Sequence, residues 1–194
     1  MFETLEKQIE YWNGKPPALV GPLSSPAIGK VLRTLHPAPM GRVLDFGCGI
    51  GRIYRGLEPL DYYVGVDISK SYLDFFRREN PEAQVIQVES FKIPLPKDDF
   101  DTVTCYSVFT HLPPEHVDLV LAEFHRVLKP GGMALASIFE LEVTTPPAHH
   151  NWILIELQRF LDLCKKNGFK PVDRTEVPTG WGSHQTLFKL ENMK

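Results

Sequence analysis

The sequence predicts an α/β domain, a doubly wound and mostly parallel sheet closed at its C-terminal end by an antiparallel hairpin. Three observations carry this. Short apolar runs at 43–46 (VLDF), 62–67 (YYVGVD), 83–88 (AQVIQV), 100–106 (FDTVTCY) and 133–139 (MALASIF) alternate with helix-length spacers. Each run is too short for a helix, and that alternation marks βαβ units. The first run leads into a turn with glycine at every second position, Gly47, Gly49 and Gly51, before a helical pattern begins. After residue 168, two strand-like segments, 169–177 and 185–190, follow one another with only the turn-rich PTGWGSH between them, as an antiparallel hairpin requires.

The elements follow in order. Leu5, Ile9 and Trp12 recur at helical spacing among charged residues and predict an amphipathic helix over 1–14, ending at Asn13-Gly14. The segment 15–26 (KPPALVGPLSSP) holds four of the seventeen prolines and reads as an extended connection. Ile28, Val31, Leu32 and Leu35 trace a short helix over 27–35, closed by His36-Pro37. The chain therefore divides into an N-terminal helical lid with its proline-rich connection, 1–36, and a main domain, 37–194. Within that domain Ser69 caps a helix carrying Leu73 and Phe76, and a helix entered from Pro113-Pro114 turns Val117, Val120, Leu121, Phe124, Val127 and Leu128 to one face. A further helix is expected over 152–166, burying Ile153, Leu157, Phe160, Leu161 and Cys164 and stopping at Asn167-Gly168.

Composition limits what such a domain does. With 194 residues, 43% apolar and 23% charged, the chain suits one compact domain with a terminal appendage. Twenty-one basic and 24 acidic side chains leave a net charge of −3, which offers no broad positive surface for a phosphate backbone or an anionic membrane. No apolar stretch approaches the ~20 residues of a membrane helix, and the opening MFETLEKQIEYW is charged where a signal peptide is apolar. Cys48, Cys105 and Cys164 are too scattered for a disulfide framework or a metal site. The expectation is a cytoplasmic protein with reduced thiols and with no nucleic-acid, membrane or metal partner. Its oligomeric state stays open.

The chemistry begins in VLDFGCGIGR (43–52). Glycines there let a ligand approach the backbone, and the helix that follows points unpaired N–H groups at it, which suits a nucleotide-like ligand. A dinucleotide fingerprint requires GxGxxG, and Arg52 occupies its third glycine position. What stands instead is D-x-G-x-G-x-G, with Asp45 two residues before the first glycine. Asp67 lies twenty residues after that glycine, at the end of the second strand, where a carboxylate accepts ribose hydroxyls.

These residues resemble the class I S-adenosylmethionine-dependent methyltransferases, from about residue 42 to 190. VLDFGCGIG is similar to the family's first motif and VGVDIS (64–69) to its second. QVESFKIPLPKDDFDTV (87–103) and VLKPGGMALAS (127–137) match its third-to-fourth-strand region and its entry into the fifth strand, and the ββ ending is similar to its last two strands. The resemblance implies a Rossmann-like sheet of seven strands and S-adenosyl-L-methionine as cofactor. It implies that Gly47, Cys48, Gly49 and Gly51 line the methionine moiety, with Asp45 orienting its amino group. Asp67 would hold the ribose hydroxyls, Ile68 the adenine face, and Glu89, Ser90 and Phe91 the adenine edge, with glutamate at 89 where the family often has aspartate. Cys105, Tyr106 and Ser107 would lie near the sulfonium and the acceptor.

Nothing beside Cys48 or Cys105 lowers a thiol pKa, so both read as small apolar fillers rather than nucleophiles. Phe91 serves equally as core. A sulfonium methyl is already activated, so in-line displacement needs alignment and a dry pocket, with a base only where the acceptor must lose a proton. His111 is the best-placed candidate base, and its alternative is a histidine packed beneath the loop before Pro113. His149 and His150 follow Pro146-Pro147 in the fifth-strand exit and are either acceptor contacts or solvated. The absence of D/N-P-P-Y/F or Pro-Cys at 104–107 disfavours base methylation, so the expected acceptor is an oxygen or nitrogen of a small molecule. A nicotinamide oxidoreductase and a catalytically silent binding module are the competing functions.

Overall fold

The computed structural model describes residues 4–16, 25–57, 60–140, 152–178 and 184–194. Two helices lead, α1 (Leu5–Gly14) and α2 (Ser25–Leu35). Then come β1 (Arg42–Phe46), the short α3 (Tyr54–Leu57), β2 (Tyr62–Asp67), α4 (Lys70–Glu79), β3 (Gln84–Gln87) and β4 (Phe100–Cys105). A single 3-10 turn, Phe109–His111, precedes α5 (Pro114–Val127), β5 (Leu128–Glu140), β6 (Leu154–Ile155), α6 (Leu157–Lys166), β7 (Phe169–Pro178) and β8 (His184–Asn192). The proline-rich segment 17–24, the histidine pair at 149–150 and most of PTGWGSH lie outside the described residues.

The sheet runs β3-β2-β1-β4-β5-β8-β7, with β6 beside the end of β5. The first five strands are parallel, and β8 enters antiparallel between β5 and β7. The order turns back at β1: β2 and β3 lie on one side of it and β4 and β5 on the other, so a crevice opens at the carboxyl ends of β1 and β4.

Alternation along buried strands sends side chains to both faces, and helices cover each. Leu44, Phe46, Val64 and Val103 pack with Phe124 of α5 and Phe160 of α6. On the other face Val43 and Tyr63 pack with Ile28 and Leu32 of α2 and with Leu73 and Phe76 of α4. Phe124 is wholly buried, with the rings of Phe46 and Phe109 at 5.3 and 6.0 Å. Its truncation to alanine is worth ~3–5 kcal/mol of stability. The backbones of α2 and α3 touch: a Cβ on Gly29 would lie 2.1 Å from the Gly56 carbonyl oxygen.

The structure departs from the sequence reading in three places. The helix expected over 152–166 begins only at Leu157, because Leu154 and Ile155 pair in parallel with Phe139 and Glu140. The Ile153 N–H, which a helix would direct along its own axis, donates instead to the Thr110 carbonyl at 2.7 Å. The strand expected from 133 already begins at Leu128, so that LKPGG (128–132) is the first part of β5, paired to β4 across a register shift between Phe100 and Thr102. In α1 it is Gln8 that is buried, while Leu5, Ile9 and Trp12 are half-buried.

Candidate functional site

Asp45 is fully buried near the end of β1, where the sheet register sets Thr104 of β4 directly beside it. The Thr104 hydroxyl donates to one carboxylate oxygen and the Tyr63 hydroxyl to the other, each at 2.8 Å. Burial nonetheless pushes the Asp45 carboxyl up to about 6, and the Arg52 charge opposes that shift. One buried carboxylate thus ties together β1, β2 and β4 beneath the glycine turn.

The turn is shaped by positive φ at Gly47, Gly49 and Gly51. Packing accounts for two of the three, since a Cβ at Gly47 would strike Val108 and one at Gly51 the Phe76 ring. Of the three, only Gly49 has open space where a Cβ would stand, with the Tyr72 ring 3.9 Å away, so packing does not account for that glycine. Cys48 is buried, and its sulfur fills the side-chain space that Gly65 leaves open. Burial raises both the Cys48 and the Cys105 thiols well above the usual range, which keeps them protonated and unreactive.

Asp67 closes the end of β2. Its Oδ2 accepts the Gly49 N–H and its Oδ1 the Ser69 N–H, both at 2.8 Å. Each oxygen keeps a lone pair for a further donor. Ser69 caps α4 by accepting the Tyr72 N–H, and its hydroxyl donates to the Trp12 carbonyl, pinning the last turn of α1 to the first turn of α4. The Trp12 ring then lies between Tyr72, at 6.1 Å, and His111, at 4.8 Å, both edge-on.

The other sequence-predicted residues are distributed along the same edge. Ile68 follows Asp67, half-buried. Glu89 and Ser90 are exposed after β3, and Phe91 is half-buried with its ring 4.7 Å from that of His116. Tyr106, after β4, is buried. Ser107 adopts φ +58, a left-handed conformation uncommon for serine, held by a closed polar ring. Its N–H donates to the Ser137 hydroxyl (2.8 Å), which donates to Gln185 Oε1 (2.6 Å), while Gln185 Nε2 donates to the Ser107 hydroxyl (2.6 Å). Sequence reading missed this ring, as it missed Tyr63 and Thr104. Only strand register could have shown that Thr104 faces Asp45.

Among the described residues no group of three or more His, Cys, Asp or Glu is placed to hold a metal ion, and no helix is long and apolar enough to cross a membrane.

Residues 44–136 match a family model described as a methyltransferase domain. A tRNA (carboxymethyluridine(34)-5-O)-methyltransferase of Arabidopsis thaliana is 32% identical over 115 residues, covering 58% of this chain and 28% of the relative. A fatty-acid O-methyltransferase of Mycolicibacterium smegmatis is 35% identical over 100 residues, covering 48% of this chain and 35% of the relative. The chain spans about a third or less of the length of these two relatives. The glycopeptide N-methyltransferase MtfA, solved with S-adenosylmethionine, superposes with a TM-score of 0.69 at 19% identity, covering 86% of this chain and 93% of the other. Two of these three proteins are named for methylation of an oxygen and one for methylation of a nitrogen.

Proposed function

We propose that this chain, whose residues 44–136 are a methyltransferase domain of the class I S-adenosylmethionine-dependent family, transfers a methyl group to an oxygen of a carboxyl-bearing small molecule. The observation that carries the reading is Asp67, which is fixed by two backbone N–H groups, keeps free lone pairs and lies against the open space at Gly49. That arrangement fits S-adenosylmethionine. The bound cofactor supplies a methyl group on a positively charged sulfur, already activated for displacement.

The chain's own residues bind, orient and exclude water. Asp67 takes the ribose hydroxyls, each a charge-assisted hydrogen bond worth ~1.5–3 kcal/mol. Ile68 and Phe91 flank the adenine, with Glu89 and Ser90 at its edge. Gly47, Cys48, Gly49 and Gly51 line the methionine moiety, and Asp45 is a fixed negative charge behind it for the amino group. Cys105 and Tyr106 wall the sulfonium, and helix α1 closes the edge as a lid through Trp12. A carboxyl acceptor is already ionised near neutral pH, so its oxygen attacks without a base. His111 then positions Trp12 and the acceptor instead of taking a proton.

Support for oxygen comes from the two curated relatives, since a fatty acid and a carboxymethyl group both bear carboxyls. A second reading, a carboxymethylated tRNA acceptor, is favoured by the first relative's name and weakens the exclusion of nucleic acid drawn from charge. The net charge of −3 and the absence of an extended basic surface in the sequence keep the small acid ahead. The discriminating experiment is methyl transfer from labelled S-adenosylmethionine to fatty acids, amines and bulk tRNA. Label in an alkali-labile ester of a small acid supports the reading, and label confined to amines or to tRNA overturns it.

A further inference from the structure

The connection from β3 to β4, residues 88–99, contains no helix or strand, and it crosses from one side of β1 to the other. Its backbone groups therefore lack the internal partners that a helical crossover would give them. Two fixed points hold the stretch that carries Glu89, Ser90 and Phe91. At its start the Val88 N–H donates to the Asp67 carbonyl at 2.9 Å. At its end stand two charged side chains of α5. Glu123 Oε2 accepts the Ile93 N–H at 2.8 Å, Arg126 Nη2 donates to the Ile93 carbonyl at 2.7 Å, and Arg126 Nη1 donates to the Leu95 carbonyl at 2.8 Å.

The two side chains also grip each other, Arg126 Nε donating to Oε1 at 2.9 Å and Nη2 to Oε2 at 2.6 Å. Arg126 thereby holds the Glu123 carboxyl below its usual range, so the pair stays ionised. An ion pair three residues apart on a helix contributes little by facing only itself. This one directs three charge-assisted hydrogen bonds at the main chain of another segment, and the guanidinium fork spans two carbonyls that a point charge cannot hold together.

Between the anchors the burial alternates. Val88 and Ile93 are buried, Glu89 and Ser90 are exposed, and Phe91 is half-buried with its ring against His116 of the same helix α5. No strand or helix of their own sets the three residues 89–91. Their place follows from Asp67 on one side and from α5 on the other.

We propose that Glu123 and Arg126 are positioning residues for adenine, fixing the segment whose tip stands at the edge of the base. This rests on the methyltransferase reading, which places Glu89 and Ser90 at that edge. A carboxylate there accepts a hydrogen bond from the adenine amino group and repels an oxo group in the same position. The pair acts through the main chain at 93 and 95, so its loss relaxes the choice of base.

Calorimetric titration of the whole chain with S-adenosylhomocysteine and with S-inosylhomocysteine, in which an oxo group replaces the amino group, reads that choice. Wild type is expected to prefer the adenosyl compound at least tenfold, and Arg126→Met to reduce the preference to threefold or less. Arg126→Lys, which keeps the charge beside Glu123 but not the fork, restores part of it. Should Arg126→Met fail to fold, Glu123→Gln carries the test: it keeps an acceptor for the Ile93 N–H, loses the ion pair, and narrows the preference at least twofold. A preference unchanged in the folded variants overturns the proposal, even where both affinities fall together, since that is the mark of a merely structural staple. Binding of both compounds to wild type with no preference overturns it too and leaves the methyltransferase reading standing. Failure of wild type to bind S-adenosylhomocysteine defeats that reading and the adenine role with it.

Discussion

The Asp67 carboxylate accepts the backbone N–H of Gly49 at 2.8 Å, binding the end of β2 to the turn after β1, the strand at which the order turns back. The residue proposed to hold the ribose therefore also sets the conformation of the turn proposed to hold the methionine moiety. Asp67→Ala is expected to raise the dissociation constant for S-adenosylhomocysteine at least tenfold, one decade being about 1.4 kcal/mol. Asp67→Asn keeps the shape and one acceptor oxygen, so it should fall between wild type and alanine. Titration of both variants checks the order, and equal affinity in all three proteins contradicts the assignment.

Asp45 gives a pH dependence whose sign follows from burial. Its carboxyl is raised to about 6 in the fold from an ordinary value near 3.8. A raised acid pKa contributes stability that is present in full below the unfolded value and is lost as pH rises through about 6, a contribution of order 3 kcal/mol. His36, lowered by burial, works in the opposite sense over the same range. The difference in melting temperature between wild type and Asp45→Asn isolates the carboxyl. Wild type without ligand is expected to lose ground to the variant between pH 5 and 7, and a constant difference across that range contradicts the shift.

Cofactor affinity should move the other way over the same interval. An ammonium group on the ligand favours the ionised form of Asp45, and ribose hydroxyls favour the ionised form of Asp67, whose pKa burial also raises. Binding of S-adenosylhomocysteine is therefore expected to tighten from pH 5 to 7 and then level off, more steeply in wild type than in Asp45→Asn. Titration at four pH values reads this directly.

The ring joining Ser107, Ser137 and Gln185 holds a left-handed serine at the end of β4. Gln185→Leu leaves both serine hydroxyls short of a partner in a largely buried setting, a loss of ~1–3 kcal/mol. Turnover is expected to fall more than cofactor affinity if, as the family resemblance implies, the strained turn lies on the acceptor side. Single-turnover rates beside calorimetry separate the two effects.

For α1, removal of residues 1–14 should abolish most turnover per folded molecule, weaken cofactor binding only modestly and leave the melting temperature nearly unchanged. A large fall in melting temperature with turnover intact would make the segment structural instead. The half-buried Trp12, edge-on to His111, motivates the expectation.

How much of this was legible in the sequence depends on range. The glycine turn, the cap at Ser69, the helix start at Pro114 and the final hairpin are local signals, and each stands where the pattern placed it. The start of α6 was not legible, because helical periodicity over 152–156 is overridden by pairing with Phe139 and Glu140, far away in the chain. The candidate site divides in the same way: Asp45 and Asp67 lie in motifs, whereas Tyr63 and Thr104 come from register and Tyr72 from a helix pinned by α1. Arg52 was visible only as a missing glycine.

The account rests on an S-adenosyl ligand held between Asp67 and Gly49, and calorimetric titration of the wild-type chain with S-adenosylhomocysteine and, separately, with NAD tests it most directly. One-to-one saturable binding of S-adenosylhomocysteine with no heat from NAD is the expected result. Binding of NAD without binding of S-adenosylhomocysteine would contradict it.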